Sequence, residues 1–151
     1  MFCCLGSTKK KTPDLAVYRK IDHDYPLLLA QLAKQNGLEQ YHLVSSIGAD
    51  INGANFYTKT KGETEADITA TGIPAIHIYR PSFLAGDRQE SRPMEKFLNG
   101  LMKVINPLLF GSWKKYHSID ASTVAMAMYL QSKKQTTGVF IYESDKIKQL
   151  S

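Results

Sequence analysis

The chain has 151 residues, a length typical of one domain, and its 43% hydrophobic and 22% charged residues are ordinary for a globular protein. These values exclude a disordered tail, and no window approaches the roughly 20 uninterrupted apolar residues of a membrane-spanning helix. The formal charge of +5 comes partly from the run Lys9–Lys11. Because no aromatic residues are interleaved with these lysines, we predict a solvated loop and no nucleic acid site, with attraction of a phosphate as the alternative.

The amino-terminal segment predicts a short buried strand. The apolar run Phe2–Leu5 is closed by Gly6-Ser7-Thr8, which is typical of a strand entering a loop. Cys3 and Cys4 would point to opposite faces of that strand, so a disulfide between them is geometrically poor. We expect two small, buried, reduced cysteines, with palmitoylation near the basic loop as the weaker alternative. Since the first residues also lack the features of a signal peptide, the expected location is cytoplasmic, away from membranes.

Two helices and a strand are predicted next. Asp22 is expected to cap a helix that has Pro26 in its first turn and ends at Asn36-Gly37. Tyr41–Val44 reads as a strand that ends at Ser45-Ser46. The following helix runs from about Phe56 to Ala70 and stops at Gly72. On this helix we expect Glu63, Glu65 and Asp67 to face solvent and Ala66 and Ile68 to face inward.

The remaining elements continue the alternation of strands and helices. The strand Ala75–Tyr79 ends at Arg80-Pro81, because proline cannot continue a strand ladder, and a charged loop covers Phe83–Arg92. One helix begins at about Pro93. The next is capped by Asp120 and carries Val124, Ala125, Met128 and Tyr129 on its apolar face. A last strand, Gly138–Tyr142, precedes a short polar tail. This alternation predicts an α/β fold with a parallel sheet, formed by residues 1–151 as a single domain.

A tyrosine and a lysine four residues apart are the strongest chemical signal. Residues i and i+4 share a helix face, so the Lys61 ammonium would lie near the Tyr57 phenol. A nearby cation favours a phenolate, which makes the phenol a usable proton donor. The spacing recurs at Tyr129 and Lys133, and each tyrosine has a serine eleven residues before it, Ser46 or Ser118.

The position of each pair along the chain separates the two. Ser45 and Ser46 close an apolar strand, and ligands of open α/β sheets bind beyond the carboxyl ends of the strands. Tyr129 instead lies near the end of an amphipathic helix, at a spacing after Ala125 that is expected of a core residue. We therefore favour Tyr57. The four histidines lack the spacing of metal ligands, and the two in predicted strands, His42 and His77, are expected to be hydrogen-bonded structural residues.

Five segments together carry a family resemblance: FCCLGSTKKK, DHDYPLLLAQLAKQNG, VSSIGAD, FYTKTKGETE and YRPSFLAGDRQESRP. They resemble the atypical short-chain dehydrogenase/reductase family. The resemblance implies a Rossmann-like domain that binds NADP(H) or NAD(H), with Tyr57 as the proton donor or acceptor and Lys61 on the nicotinamide ribose. Ser45 or Ser46 would orient a small carbonyl or alcohol substrate. Further cofactor contacts are implied at Leu5, Gly6, Pro81, Leu84 and Arg92.

The resemblance also implies a missing part. Family members begin with a strand, a glycine-rich turn and a helix before the segment equivalent to Phe2–Leu5, and no such fingerprint occurs here. The fold is therefore expected to be truncated in its amino-terminal half, with self-association through the exposed first strand. We expect a dinucleotide-dependent oxidoreductase. The alternatives are a non-catalytic NADPH-sensing or scaffold protein and an inactive fragment unable to bind nucleotide.

Overall fold

Four parallel strands form the main sheet in the part of the chain that the structure, a computed structural model, describes: residues 1–82, 84–85 and 118–151. These are β1 (Phe2–Cys3), β2 (Gln40–Val44), β3 (Ala75–Arg80) and β6 (Gly138–Glu143), which pair in the order β1-β2-β3-β6. Two short strands, β4 (Leu84–Ala85) and β5 (Ile119–Asp120), form a separate parallel pair. The predicted parallel sheet is confirmed.

Helices cover both faces of this sheet. They are α1 (Leu15–Arg19), a π-helical turn (Lys20–Asp24), α2 (Tyr25–Gln35), α3 (Phe56–Ala70), α4 (Ala121–Ser132) and α5 (Ser144–Leu150). On one face, Ile76 and Ile78 of β3 belong to a core with Ala30 of α2 and Ile68 of α3. On the other face, Tyr79 packs with residues of β5, α4, β6 and α5. Strands buried on both faces are typical of parallel sheets in doubly wound α/β proteins.

The middle elements agree closely with prediction. The helix α3 has the predicted bounds, and Gly37 and Gly72 end their helices with φ of +73° and +70°, a conformation that favours glycine. His42 and His77 are buried and stack with ring centroids 4.5 Å apart. Their Nδ1 atoms lie 3.2 and 3.0 Å from the hydroxyls of Tyr79 and Tyr142, so their predicted structural role is confirmed.

Asp22 does not cap a helix, and that prediction is wrong. The first cap is Asp14, whose carboxylate accepts hydrogen bonds from the backbone N–H groups of Ala16 and Val17 at 2.8 and 3.2 Å. The chain then passes through the π-helical turn into α2, and Asp22 lies buried within that turn. Pro26 has no backbone N–H to donate, and the π-helical turn directly precedes the first turn of α2 that contains it. The helical backbone therefore continues from this turn into α2, and no new helix begins at Asp22.

The predicted buried face of α4 is half wrong. Val124 and Met128 are buried, but the buried stripe continues through Ala127 and Gln131, while Ala125 and Tyr129 are exposed. Asp120 precedes the helix, although its side chain makes no capping hydrogen bond. The apolar residues of this helix occupy more than one face, so composition alone does not select the stripe.

Three smaller expectations are also corrected. On α3, Ala66 is exposed and Glu65 is buried, because Glu65 binds Arg80. The polar tail forms helix α5, which buries Ile147. In the first segment Cys3 is buried, but Cys4 and Leu5 are exposed, because β1 ends at Cys3 and these two residues lie beyond it.

Leu84 and Ala85 of the expected loop Phe83–Arg92 form β4, so that part of the prediction is wrong. The rest of this loop, including Arg92, and the helix expected from Pro93 lie outside the described residues. Among the helices of the described ranges, none has the length and apolar character needed to cross a membrane.

Candidate functional site

The loops that follow β2 and β3 lie side by side at the carboxyl edge of the sheet. The Ser45 N–H donates to the Tyr79 carbonyl at 2.7 Å, and the Ile47 N–H donates to the Pro81 carbonyl at 3.0 Å. These bonds continue the pairing of the two strands past their ends. Ser46 and Pro81, which the sequence places in the site, therefore share one edge of the sheet.

Helix α3 is fastened to this edge at its first turn. Asn55 caps the helix by accepting a hydrogen bond from the Thr58 N–H at 2.9 Å, and the Asp50 N–H donates to the Thr58 carbonyl at 3.1 Å. The loop crosses the helix at Gly62, where a Cβ atom would lie only 2.2 Å from the carbonyl carbon of Asp50. This close approach needs glycine and holds Tyr57, which is 41% exposed, beside the edge.

Lys61 is buried and paired with an aspartate that the sequence reasoning assigned to a helix cap. Its Nζ lies 2.8 Å from Oδ1 of Asp22, and Oδ2 of Asp22 accepts a hydrogen bond from the Ser7 N–H at 2.7 Å. A Cβ atom on Gly6 would lie 3.5 Å from Lys61 Nζ and 3.4 Å from Asp22 Oδ1. The ion pair is therefore next to the backbone that leaves β1.

Ser45 is part of a second buried polar network. Its hydroxyl donates to Oε1 of Glu65 at 2.5 Å, and the Arg80 guanidinium donates to both carboxylate oxygens of Glu65 at 2.5–3.1 Å. The hydrogen bond to Glu65 raises the pKa of Arg80 above its usual value. Ser46 is half-buried, and its hydroxyl makes a longer bond, 3.3 Å, to the Ile47 carbonyl.

The remaining predicted site residues are not all brought to the same place. Gly6 lies near Lys61, and Leu5 beside it is exposed. Leu84 packs against the core formed with Ile119 and α4. Arg92 lies outside the described residues. Tyr129 is exposed on α4, with Lys133 Nζ 4.3 Å from its ring centroid.

The buried carboxylates Asp22 and Glu65 contact residues of the candidate site, and sequence reasoning did not place them there. Asp22 precedes Lys61 by 39 residues, and Glu65 meets Arg80 across 15 residues, so no local spacing relates either pair. Tyr18 was missed as well. It is buried, its ring meets Phe56 edge-on at 5.6 Å, and its hydroxyl donates to the Ser7 carbonyl at 3.3 Å. Burial raises the pKa of Tyr18, and the nearby Asp22 and Tyr57 raise it further.

The fold and site define a Rossmann-like α/β protein with a tyrosine and a lysine on the helix at the carboxyl edge of its sheet. Solved structures share this fold. The WbmG enzyme of Bordetella bronchiseptica in complex with NAD matches with a TM-score of 0.63 and 16% identity over 98% of this chain and 52% of that one. A UDP-N-acetylglucosamine 4-epimerase from Methanobrevibacter ruminantium M1 gives 0.65 and 14% over 94% and 54%.

Curated relatives are similar to this chain over most of its sequence. Protein HTATIP2 of Rattus norvegicus is 37% identical over 131 residues, which are 84% of this chain and 50% of that protein. The mitochondrial protein fmp52 of Emericella nidulans is 37% identical over 112 residues, 72% of this chain and 48% of that one. These relatives, together with the shared fold, support the resemblance to the atypical short-chain dehydrogenases/reductases. No family model matches the chain.

The relatives differ from this chain in length, and several of them have a named location. The chain spans about half the length of the curated relatives it matches. The FMP52 relatives from Emericella nidulans, Aspergillus niger and Candida albicans are named as mitochondrial proteins. The expected cytoplasmic location is therefore wrong. It rested on reduced cysteines and on the first residues of the chain, and neither distinguishes the cytoplasm from the mitochondrion.

Proposed function

We propose that this chain supplies the proton-transfer and nicotinamide-ribose part of a site for NAD(P)-dependent oxidoreduction, in which a carbonyl and an alcohol are interconverted. The observation that carries the proposal is the placement of Tyr57 and Lys61 on one turn of α3. Tyr57 is exposed at the carboxyl edge of the sheet, and Lys61 is buried beside Gly6. The NAD complex of WbmG, which shares the fold, supports the choice of cofactor class.

The residues present are compatible with the ribose and nicotinamide of such a dinucleotide. Lys61 would hold the ribose hydroxyls, since an ammonium has three N–H donors and Asp22 engages one side of it. Gly6 has no side chain to cover this ion pair. Leu5 is an exposed apolar residue next to Gly6, and Pro81 lies at the end of the neighbouring strand. When bound, the dinucleotide supplies the hydride that the carbonyl carbon accepts, and is itself oxidised.

Tyr57 would transfer the proton. Its hydroxyl makes no hydrogen bond to any described residue, so it is available to a substrate oxygen. In reduction it gives its proton to the oxygen that becomes the alcohol, and solvent returns a proton to the phenolate. In oxidation the phenolate takes the alcohol proton. Asp22 acts as a positioning residue, because it holds the Lys61 ammonium on this side of α3.

Ser46, and not Ser45, is our choice for orienting the carbonyl. A serine hydroxyl has one proton to donate, and Ser45 gives its proton to Glu65 within a buried network. Ser46 follows directly, is half-buried, and makes only a long bond to the adjacent carbonyl. The role of Ser45 is then to fix Glu65 and Arg80 beneath the loop.

The test uses the nicotinamide half of the cofactor, because Tyr57 and Lys61 would contact that half. Reduced nicotinamide mononucleotide carries the hydride-donating ring and its ribose without the adenylate. Loss of its absorbance near 340 nm is followed with an aldehyde, at millimolar concentrations, for the chain, Tyr57→Phe and the matched control Tyr129→Phe. We expect a turnover that Tyr57→Phe lowers about 10²–10⁴-fold and Tyr129→Phe leaves unchanged. The absence of any Tyr57-dependent turnover would contradict catalysis and favour a nucleotide-sensing or scaffold role.

A further inference from the structure

A cleft of about 420 Å³ opens beside Tyr57, between the loop that follows β1 and the first turn of α3. Its walls include Leu15, Tyr18, Phe56 and Tyr57. The volume lies within the range of roughly 300–1,000 Å³ that small-molecule sites occupy. An apolar wall with the candidate proton donor in it is suited to hold the body of a substrate.

The polar groups of this cleft are divided into two kinds. The side-chain oxygens of Ser7, Thr8 and Asn55 are engaged in hydrogen bonds within the protein, to Thr12 Oγ1, the Lys11 N–H and the Thr58 N–H. Within the described ranges, the Tyr57 hydroxyl and the Lys9 ammonium make no hydrogen bond or ion pair. The cleft therefore offers a ligand one phenol and one cation in mainly apolar surroundings.

We propose that this cleft takes a carbonyl compound with an aryl or alkyl body and an anionic end group, the carbonyl at Tyr57 and the anion at Lys9. The inference rests on the proposed function and names its substrate class. Lys9 is the first of three consecutive lysines, so the positive potential at this side of the cleft favours an anion. The apolar walls disfavour sugars and other highly hydroxylated substrates, whose hydroxyls would lose water without gaining partners.

Reduction of such a substrate would replace the carbonyl π bond by two bonds to hydrogen. The carbonyl π bond is lost, the carbon gains a C–H bond from the hydride of the reduced dinucleotide, and the oxygen gains an O–H bond from Tyr57. The carbonyl compound is reduced to an alcohol, the dinucleotide is oxidised, and the proton that Tyr57 gives is replaced from water. The anionic end group does not react, because its role is to orient the carbonyl.

Binding is measured without turnover, so that it does not depend on the chemistry. The probes are 4-oxo-4-phenylbutanoate and its methyl ester, titrated into the 151-residue chain by saturation-transfer NMR. We expect the acid to bind more tightly than the ester, and Lys9→Gln to weaken the acid alone by about 2- to 5-fold, the range of an exposed ion pair. Lys10→Gln is the matched control, because Lys10 does not line the cleft. Equal affinity of acid and ester would overturn the anionic part of the proposal.

A second variant tests the apolar wall. Leu15→Asp is placed in the first turn of α1, where an acidic residue is compatible with the helix, and it should weaken both probes at least about fivefold. Val17→Asp, on the same helix with a nearly equal exposure of 44% against 45%, should leave both unchanged. If Leu15→Asp leaves the affinity of both probes unchanged, the ligand binds elsewhere and the proposal is overturned.

Competition separates the substrate cleft from the cofactor site. Nicotinamide mononucleotide should bind together with the keto acid, whereas its displacement of the acid would assign the Lys9 cation to a nucleotide phosphate and overturn the inference. If the mononucleotide binds and neither probe does, the proposed function stands and the substrate class fails. If the probes bind with the expected variant effects and the mononucleotide does not, the cofactor assignment fails alone.

Discussion

The ion pair between Asp22 and Lys61 should stabilise the fold as well as serve the site. Both side chains are buried, and their charged atoms lie 2.8 Å apart. Lys61→Met removes the ammonium but leaves the Asp22 carboxylate buried, with the Ser7 N–H as its remaining hydrogen-bond donor among the described residues. Asp22→Asn keeps the shape of the side chain and leaves the Lys61 ammonium buried without a counter-charge.

The expected cost of either single change is large. Breaking a buried ion pair by removing one partner costs about 3–5 kcal/mol, because the other charge is left uncompensated. A domain of this size has a free energy of unfolding of about 5–15 kcal/mol, so each variant should lose about a fifth of it or more. The double variant Asp22→Asn/Lys61→Met removes both charges, and we expect it to be more stable than either single one.

Urea denaturation followed by circular dichroism measures these changes as a double-mutant cycle. Lys59→Met is the control, because Lys59 is exposed two residues before Lys61 on the same helix. We expect the control to change the free energy of unfolding by less than about 0.5 kcal/mol. Additive losses in the double variant, or single variants as stable as the control, would refute the coupling. Because Lys61 variants are expected to be less stable, any loss of their activity is compared with their free energy of unfolding.

Three further perturbations test the fold. Burial and the neighbouring His77 lower the pKa of His42 from 6.5 to about 4, so the folded state resists a proton that the unfolded chain takes up. The contribution of His42 to the free energy of unfolding should therefore fall by about 3 kcal/mol as the pH drops from about 6.5 to about 4. Urea midpoints for His42→Phe should fall less steeply over this range, and equal slopes would contradict this. Phe2 is half exposed on the edge strand β1, so the chain should self-associate at rising concentration, whereas the Phe2→Lys variant should not. Light scattering measures this, and a monodisperse wild-type monomer would disprove the prediction. Gly62→Ala should destabilise by at least about 2 kcal/mol, because its Cβ would meet the Asp50 backbone, and an unchanged thermal midpoint would count against the packing described.

Local signals in the sequence predict the elements and the tyrosine–lysine pair. The bounds of α3 follow from Asn55 and Gly72, which favour the beginning and the end of a helix through their own backbone and side-chain chemistry. Likewise, the i, i+4 spacing puts Tyr57 and Lys61 on one face whatever surrounds the helix. Such features depend on residues within a few positions of each other.

The partners of the site residues could not be predicted in this way. Aspartate and glutamate usually face solvent, but Asp22 and Glu65 are buried because each forms an ion pair with a residue from another element, Lys61 or Arg80. A charge is buried when it is paired, and the pairing is a property of the tertiary fold. The choice between Ser45 and Ser46 has the same origin, since the hydrogen bond to Glu65 distinguishes two adjacent and identical residues.

The central claim is that the nicotinamide ribose binds beside Gly6, Tyr57 and Lys61, and amide NMR of the ¹⁵N-labelled chain tests it most directly. Nicotinamide mononucleotide and adenosine monophosphate share a ribose and a phosphate and differ in the base, so the second serves as the matched control ligand. We predict that nicotinamide mononucleotide shifts the amide signals of Gly6, Ser46 and residues 57–61, and that adenosine monophosphate at the same concentration does not. Shifts elsewhere in the chain, or the same shifts with both ligands, would contradict the claim.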